Sequence, residues 1–136
     1  MRKILLVCSC LLLLGSCRKA IEKIQENMLV DAMTDGQWKI TNFVHDGSNI
    51  TAQFDGFSFK YYRARTVDAI KNGVVEKTGN WDGDISTQTT WADFPSATEP
   101  LSLINGTWHI DNSSWTHVVA TQTNGSSTKT MRLDKI

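Results

Sequence analysis

The chain has 136 residues, with 14 lysines and arginines against 14 aspartates and glutamates, so its formal net charge is zero. The charges are scattered rather than gathered into a basic stripe, which argues against nucleic acid as a partner. All three cysteines lie at or before Cys17, so the remainder holds neither a disulfide framework nor a cysteine metal site.

The first segment reads as a leader. Arg2 and Lys3 form a positive start, Ile4 to Leu14 an apolar run broken only by Cys8, Ser9 and Cys10, and Gly15 and Ser16 supply the small residues of a cleavage site. Eleven residues of helix span about 16 Å, half of a ~30 Å hydrocarbon core, so the run is too short for a permanent membrane span. Leu14-Gly15-Ser16-Cys17 resembles the lipobox of bacterial lipoproteins. That resemblance implies a thioether-linked diacylglycerol on Cys17, cleavage just before it, and a new amino terminus that is often acylated in turn, commonly by palmitate. Two or more chains anchor stably where one does not. Arg18 and Lys19 follow the cysteine, whereas surface-exported lipoproteins of some Gram-negative groups carry acidic residues there. The expected location is the periplasmic face of the outer membrane. The layout is then a signal peptide over 1–16, a lipidated amino terminus and helix over 17–35, and one folded domain over 36–136.

Residues 18–34 carry the helical signal. Ile21, Ile24, Met28, Leu29 and Ala32 recur at helical spacing, and Gly36 lies just past the end. This apolar stripe suits a cap over a barrel end, or a tether that orders against the domain or a membrane surface. From there the chain reads as strands and tight turns. Gln37 to Val44 alternates, with Trp38, Ile40 and Val44 on one face, and Asp46-Gly47 turns it back. Phe57, Phe59 and Tyr61 share a face opposite Ser58 and Lys60. Strands Arg65 to Ile70 and Val74 to Trp81 flank Asn72-Gly73, a strong hairpin signal. Asp82-Gly83 marks a turn before a threonine-rich strand, Ile85 to Thr90. Ala92 to Pro100, with both prolines, reads as the longest loop, and Trp91 beside it as the tryptophan most open to solvent. Leu101 to Ile104 and Thr107 to Asp111 follow as strands, then Trp115 to Thr121 and Thr128 to Lys135 across Asn124-Gly125. About eight strands joined by sequential hairpins predict an all-β fold. It is a small up-and-down antiparallel barrel preceded by one short helix, or a two-sheet sandwich if it fails to close.

Gly36-Gln37-Trp38, Gly79-Asn80-Trp81 and Gly106-Thr107-Trp108 repeat one motif near strand ends. The first, on the leading strand after a helix, resembles the Gly-x-Trp of lipocalins, where the indole closes the barrel floor. With Phe57-Ser58-Phe59 and the later Gly-x-Trp units, the whole domain is similar to small lipocalin-like lipoproteins of Bacteroidetes. The resemblance implies a barrel whose floor Trp38 closes; if it holds a small hydrophobic ligand, Trp38, Phe59, Tyr61, Arg63, Trp81 and Trp108 are the residues expected around it. An eight-stranded barrel is just wide enough either to be filled by side chains or to hold one such molecule. Ordinary core packing accounts for the indoles equally well.

If the Phe57–Tyr61 strand continues without a bulge, Arg63 and Arg65 point with its rings and suit a carboxylate or phosphate head group; the alternative is a rim of snorkelling side chains. A hairpin centred on Ser113 would set His109 against His117 and Asp111 against Trp115, a pair of imidazoles within reach of zinc, though too few ligands for a convincing site. No metal and no cofactor is expected. Nor does the sequence hold a nucleophile elbow, a phosphate loop or a helical His-Glu pair, so no enzyme is expected. The functional expectation is a membrane-anchored carrier of a small apolar or amphiphilic ligand. The alternatives are a filled barrel whose loops contact a protein partner, as an inhibitor or part of an envelope complex, and a purely structural lipoprotein.

Overall fold

The structure, a computed structural model, describes residues 2–136, with side chains from Cys17 onward. The leader features from Met1 to Ser16 rest on side chains outside those described. Among the described residues no helix is long and apolar enough to cross a membrane.

Helix α1 (Arg2–Thr34) takes in the predicted 18–34 segment as its second half. It stops where Gly36 turns the chain at φ +73°, a conformation that costs glycine little. Nine strands follow: β1 (Trp38–His45), β2 (Ser48–Asn49), β3 (Phe57–Tyr61), β4 (Thr66–Lys71), β5 (Val74–Asp84), β6 (Thr89–Asp93), β7 (Gly106–Ser113), β8 (His117–Asn124) and β9 (Ser127–Lys135). From β3 to β9 each pairs antiparallel with the next, and β9 pairs back onto β1 from Trp38↔Lys135 to His45↔Lys129. The result is a closed antiparallel barrel of eight strands, with β2 a two-residue spur on β1. Between β1 and β3 the seam is narrow, paired at Trp38↔Phe59. The 3-10 turn Thr51–Phe54 packs Phe54 into the core there.

The inward faces meet in one aromatic core. Phe43 stacks on Phe54 at 4.8 Å and meets Trp108 edge-on at 6.0 Å, while Phe57, Phe59 and Phe94 continue the row. Among the described residues no polar or charged residue is buried. These packed rings occupy the lower barrel, away from α1.

Several predicted details shift, each for a local reason. A bulge between Ile40 and Asn42 breaks the period of two, so Phe43 turns inward and Val44 does not. Asp82-Gly83 is not a turn, because β5 runs through it to Asp84 and the chain reverses at 85–88. Gly83 serves the helix instead: a Cβ there would lie 2.7 Å from Leu29 Cδ2. The strand expected from Ile85 begins at Thr89 and extends to Asp93, so the long loop starts at Phe94, whose ring is buried. Leu101–Ile104 is a 3-10 turn rather than a strand, with Leu101 and Ile104 buried at the spacing of three that such a turn eclipses. Trp115 lies in a turn before β8 and is more open than Trp91, 50% against 41% exposed.

Candidate functional site

The three Gly-x-Trp units each lead to a buried indole with a satisfied donor. Trp38 Nε1 donates to Met33 O at 2.9 Å, Trp108 Nε1 to Ile104 O at 2.7 Å, and Trp81 Nε1 to Tyr62 O at 3.1 Å. Two of these carbonyls close helical turns, whose last carbonyls have no intrahelical partner. Trp38 thus fastens α1 to the top of the barrel, and Trp108 fastens the Leu101–Ile104 turn to its floor. The glycines have separate reasons. Gly106 sits at φ +109°, and Gly79 lets Asp93 O approach to 2.3 Å of where a Cβ would stand.

Above the aromatic row, under α1, the barrel encloses a cavity of about 60 Å³. Tyr61, Trp81 and Trp108 line it from below, and Leu29 and Met33 of α1 close it from above. Burial pushes the Tyr61 phenol well above its ordinary range, so it stays neutral. Beside α1 an apolar groove of about 290 Å³ opens between the helix and the turns after β5 and β7, with Met28, Ile85 and Trp115 along it. Leu29, Met33, Ser113 and Val118 border both spaces. Trp38 and Phe59, also expected at a ligand, are buried in the core but do not border the cavity.

The arginines lie elsewhere than the strand pattern suggested. β3 ends at Tyr61, and the chain turns through 62–65, closed by Arg65 N donating to Tyr62 O at 3.0 Å. Arg63 is exposed and ion-paired with Asp31 of α1. Arg65 lies over the Trp81 ring at 5.3 Å, with Glu26 at 3.3 Å and Asp82 at 3.5 Å. Neither points with the aromatic row; both clamp the helix to the rim. The imidazole pair is also absent. The hairpin turns at 114–117, closed by Ser114 N donating to His117 O at 2.8 Å, rather than at Ser113, which sets His109 opposite Thr121, while His117 faces Asp134 on β9. Among the described residues no cluster of histidine, cysteine or carboxylate could hold a metal.

Helix α1 presents two apolar faces where the sequence stripe suggested one. Leu29, Val30 and Met33 pack onto the barrel, whereas Ile21, Ile24 and Met28 stand in solvent, each at least half exposed. Leu29 of the inward face belongs to the predicted stripe, whereas Val30 and Met33 were missed because they fall outside its spacing. Val118 and Ile110 on the cavity wall gave no signal beyond ordinary strand alternation. Cys17 is exposed on α1.

Fold and site together define a small closed antiparallel barrel, capped by an N-terminal helix and holding a minor apolar cavity beneath it. A solved structure of similar build is a DUF4847 family protein from Bacteroides vulgatus, at TM-score 0.55 and 11% identity over 78% of this chain and 96% of that one. At that identity the likeness is one of fold. No protein-family profile and no curated protein matches the sequence.

Proposed function

We propose that this is an envelope lipoprotein, held by lipid on Cys17 at the periplasmic face of the outer membrane. Its lipocalin-like barrel binds one small apolar or amphiphilic molecule at the helix end. The observation that carries this reading is the shared wall between cavity and groove: Leu29 and Met33 stand between an enclosed apolar space and an open one. A cavity of about 60 Å³ exceeds the roughly 10–15 Å³ that one water needs and falls short of the roughly 300 Å³ of an ordinary ligand pocket. The ligand that fits is a slim chain, entering as Leu29 and Met33 move aside and resting on Tyr61, Trp81 and Trp108. Because Arg63 and Arg65 are already paired with carboxylates, the apolar chain rather than a charged head group supplies the affinity. No catalytic step is assigned.

The test is native mass spectrometry of residues 18–136, followed by titration with a fatty acid read by tryptophan fluorescence. The expected result is a one-to-one complex and a shifted emission, both lost in Val118→Trp, whose indole fills the cavity. No bound mass and no change in emission would overturn the reading. A second reading, a protein-binding module, is favoured by the ring-packed lower barrel with its 95–99 loop at the surface. It predicts a ligand-free mass together with crosslinking of an envelope protein through Thr98.

A further inference from the structure

We infer that the helix end of the barrel lies against a phospholipid bilayer, so that the groove opens towards lipid rather than towards water. Five of the chain's exposed large apolar side chains collect at this end: Ile21, Ile24 and Met28 on α1, Ile85 in the turn after β5, and Trp115 in the turn after β7. Isolated apolar residues on a surface are ordinary, but Met28, Ile85 and Trp115 line one groove and Ile21 and Ile24 extend the Met28 stripe along α1, and such a grouping marks a contact. What covers it follows from the register of α1. Cys17, Ile21, Ile24 and Met28 are spaced by four, three and four residues, which puts the thiol at the head of the apolar face. A lipid on that thiol enters the membrane from the same side that Ile21 and Ile24 present. Trp115, at a turn tip, is of the residue type that settles at a membrane–water boundary. Interfacial helices bury such a face about 5–10 Å deep.

This inference rests on the anchoring reading, and the experiment separates the two. The full chain is purified with its own acylation and reconstituted into phosphatidylethanolamine–phosphatidylglycerol vesicles with brominated acyl chains. Intact mass reports the lipid on Cys17, and its absence overturns anchoring without touching the docking result. Docking predicts that brominated lipid quenches the fluorescence, that Trp115→Phe removes most of the quenching, and that Trp91→Phe, which removes the other exposed indole, leaves it, since Trp38, Trp81 and Trp108 are buried. Ile21→Asp with Ile24→Asp should relieve it in protein still held by its lipid. Amide exchange of the wild-type protein should slow over 21–28, 85–88 and 114–116 on vesicles. Equal quenching of wild type and Trp115→Phe, no quenching at all, or protection of these segments by self-association without quenching overturns the inference.

Discussion

Lys135 and Lys129 act alike at the two ends of β9. Lys135 lies over the Trp38 ring at 5.1 Å and donates to Ala32 O at 3.0 Å; Lys129 lies over Trp108 at 5.5 Å and donates to Leu103 O at 2.8 Å. In each case the carbonyl is the one before that taken by the indole, so one tryptophan and one lysine together satisfy the end of a helical turn. Burial holds the Lys129 ammonium below the usual lysine range. The tryptophans were legible in the sequence as a repeated Gly-x-Trp, whereas the lysines were not, because their partners are carbonyls brought near by barrel closure. Trp108→Phe keeps the packing but orphans Ile104 O, and a buried acceptor left unpaired costs about 1–3 kcal/mol. For a domain near 100 residues that lowers the Tm by roughly 5–15 °C, measurable by circular dichroism. Gly79→Ala should do worse, preventing folding or costing several times as much as Gly47→Ala. The added Cβ of the first collides with Asp93 O, a backbone atom, whereas the second has open space around it and bears only the strain of φ +81°.

Helix α1 shows where element-scale reading reached and where it stopped. Its existence, its end near Gly36 and its role as a cap were readable from periodicity. Which face it buries was not, because the barrel rim selects Leu29, Val30 and Met33 through contacts with Gly83 and the core. The strand register failed in the same way at Thr41 and Asp111, where bulges shift the alternation by one residue, and the β7–β8 hairpin turns at 114–117 rather than at Ser113, which carries the expected histidine pair apart. The tight turn at Asn72-Gly73 was placed to the residue, since its chemistry is local, whereas the turn expected at Asn124-Gly125 lies one residue on, at Gly125-Ser126, with Asn124 paired to Ser127. The helix is held at its lower end by Trp38, Lys60 and Lys135, which donate to Met33, Thr34 and Ala32 carbonyls, and along its length by Arg63 and Arg65. Gly83→Ala pushes against the flexible tip of Leu29 rather than against backbone. The expected outcome is a Tm loss equivalent to no more than about 1 kcal/mol, with faster amide exchange confined to residues 26–34. A uniform rise in exchange across the barrel would show that the helix and the strands open together.

Closure of the whole molecule depends on the β1–β9 pairing, the contact between the most distant parts of the barrel sequence. Two carboxylates fasten it. Asp46, after β1, accepts from Thr128 N at 2.8 Å and from Ser127 Oγ at 3.2 Å; Asp134, on β9, accepts from Arg132 and from Thr41 of β1. The Thr128 amide holds the Asp46 carboxyl below its ordinary range, and the Arg132 guanidinium, aided by Thr41, does the same for Asp134. A carboxyl whose pKa is lower in the folded chain than in the unfolded one, about 3.9 for aspartate, binds fewer protons when folded. Its stabilisation is complete above that value and is lost as pH falls through the lower, folded value. Acid should therefore loosen the closing seam, together with the turn after β5, where Ser86 lowers the Asp84 carboxyl, and the β7–β8 pair, where Thr121 lowers that of Asp111. Between pH 7 and 5 the Tm should hold nearly constant as far as these groups govern it. Below about pH 4 it should fall, with amide exchange rising over 39–45 and 129–135. Asp46→Asn with Asp134→Asn should lower the Tm at neutral pH and flatten its decline in acid. If that variant keeps the wild-type slope, the acid sensitivity lies in other carboxylates and the seam is held by its backbone pairs alone.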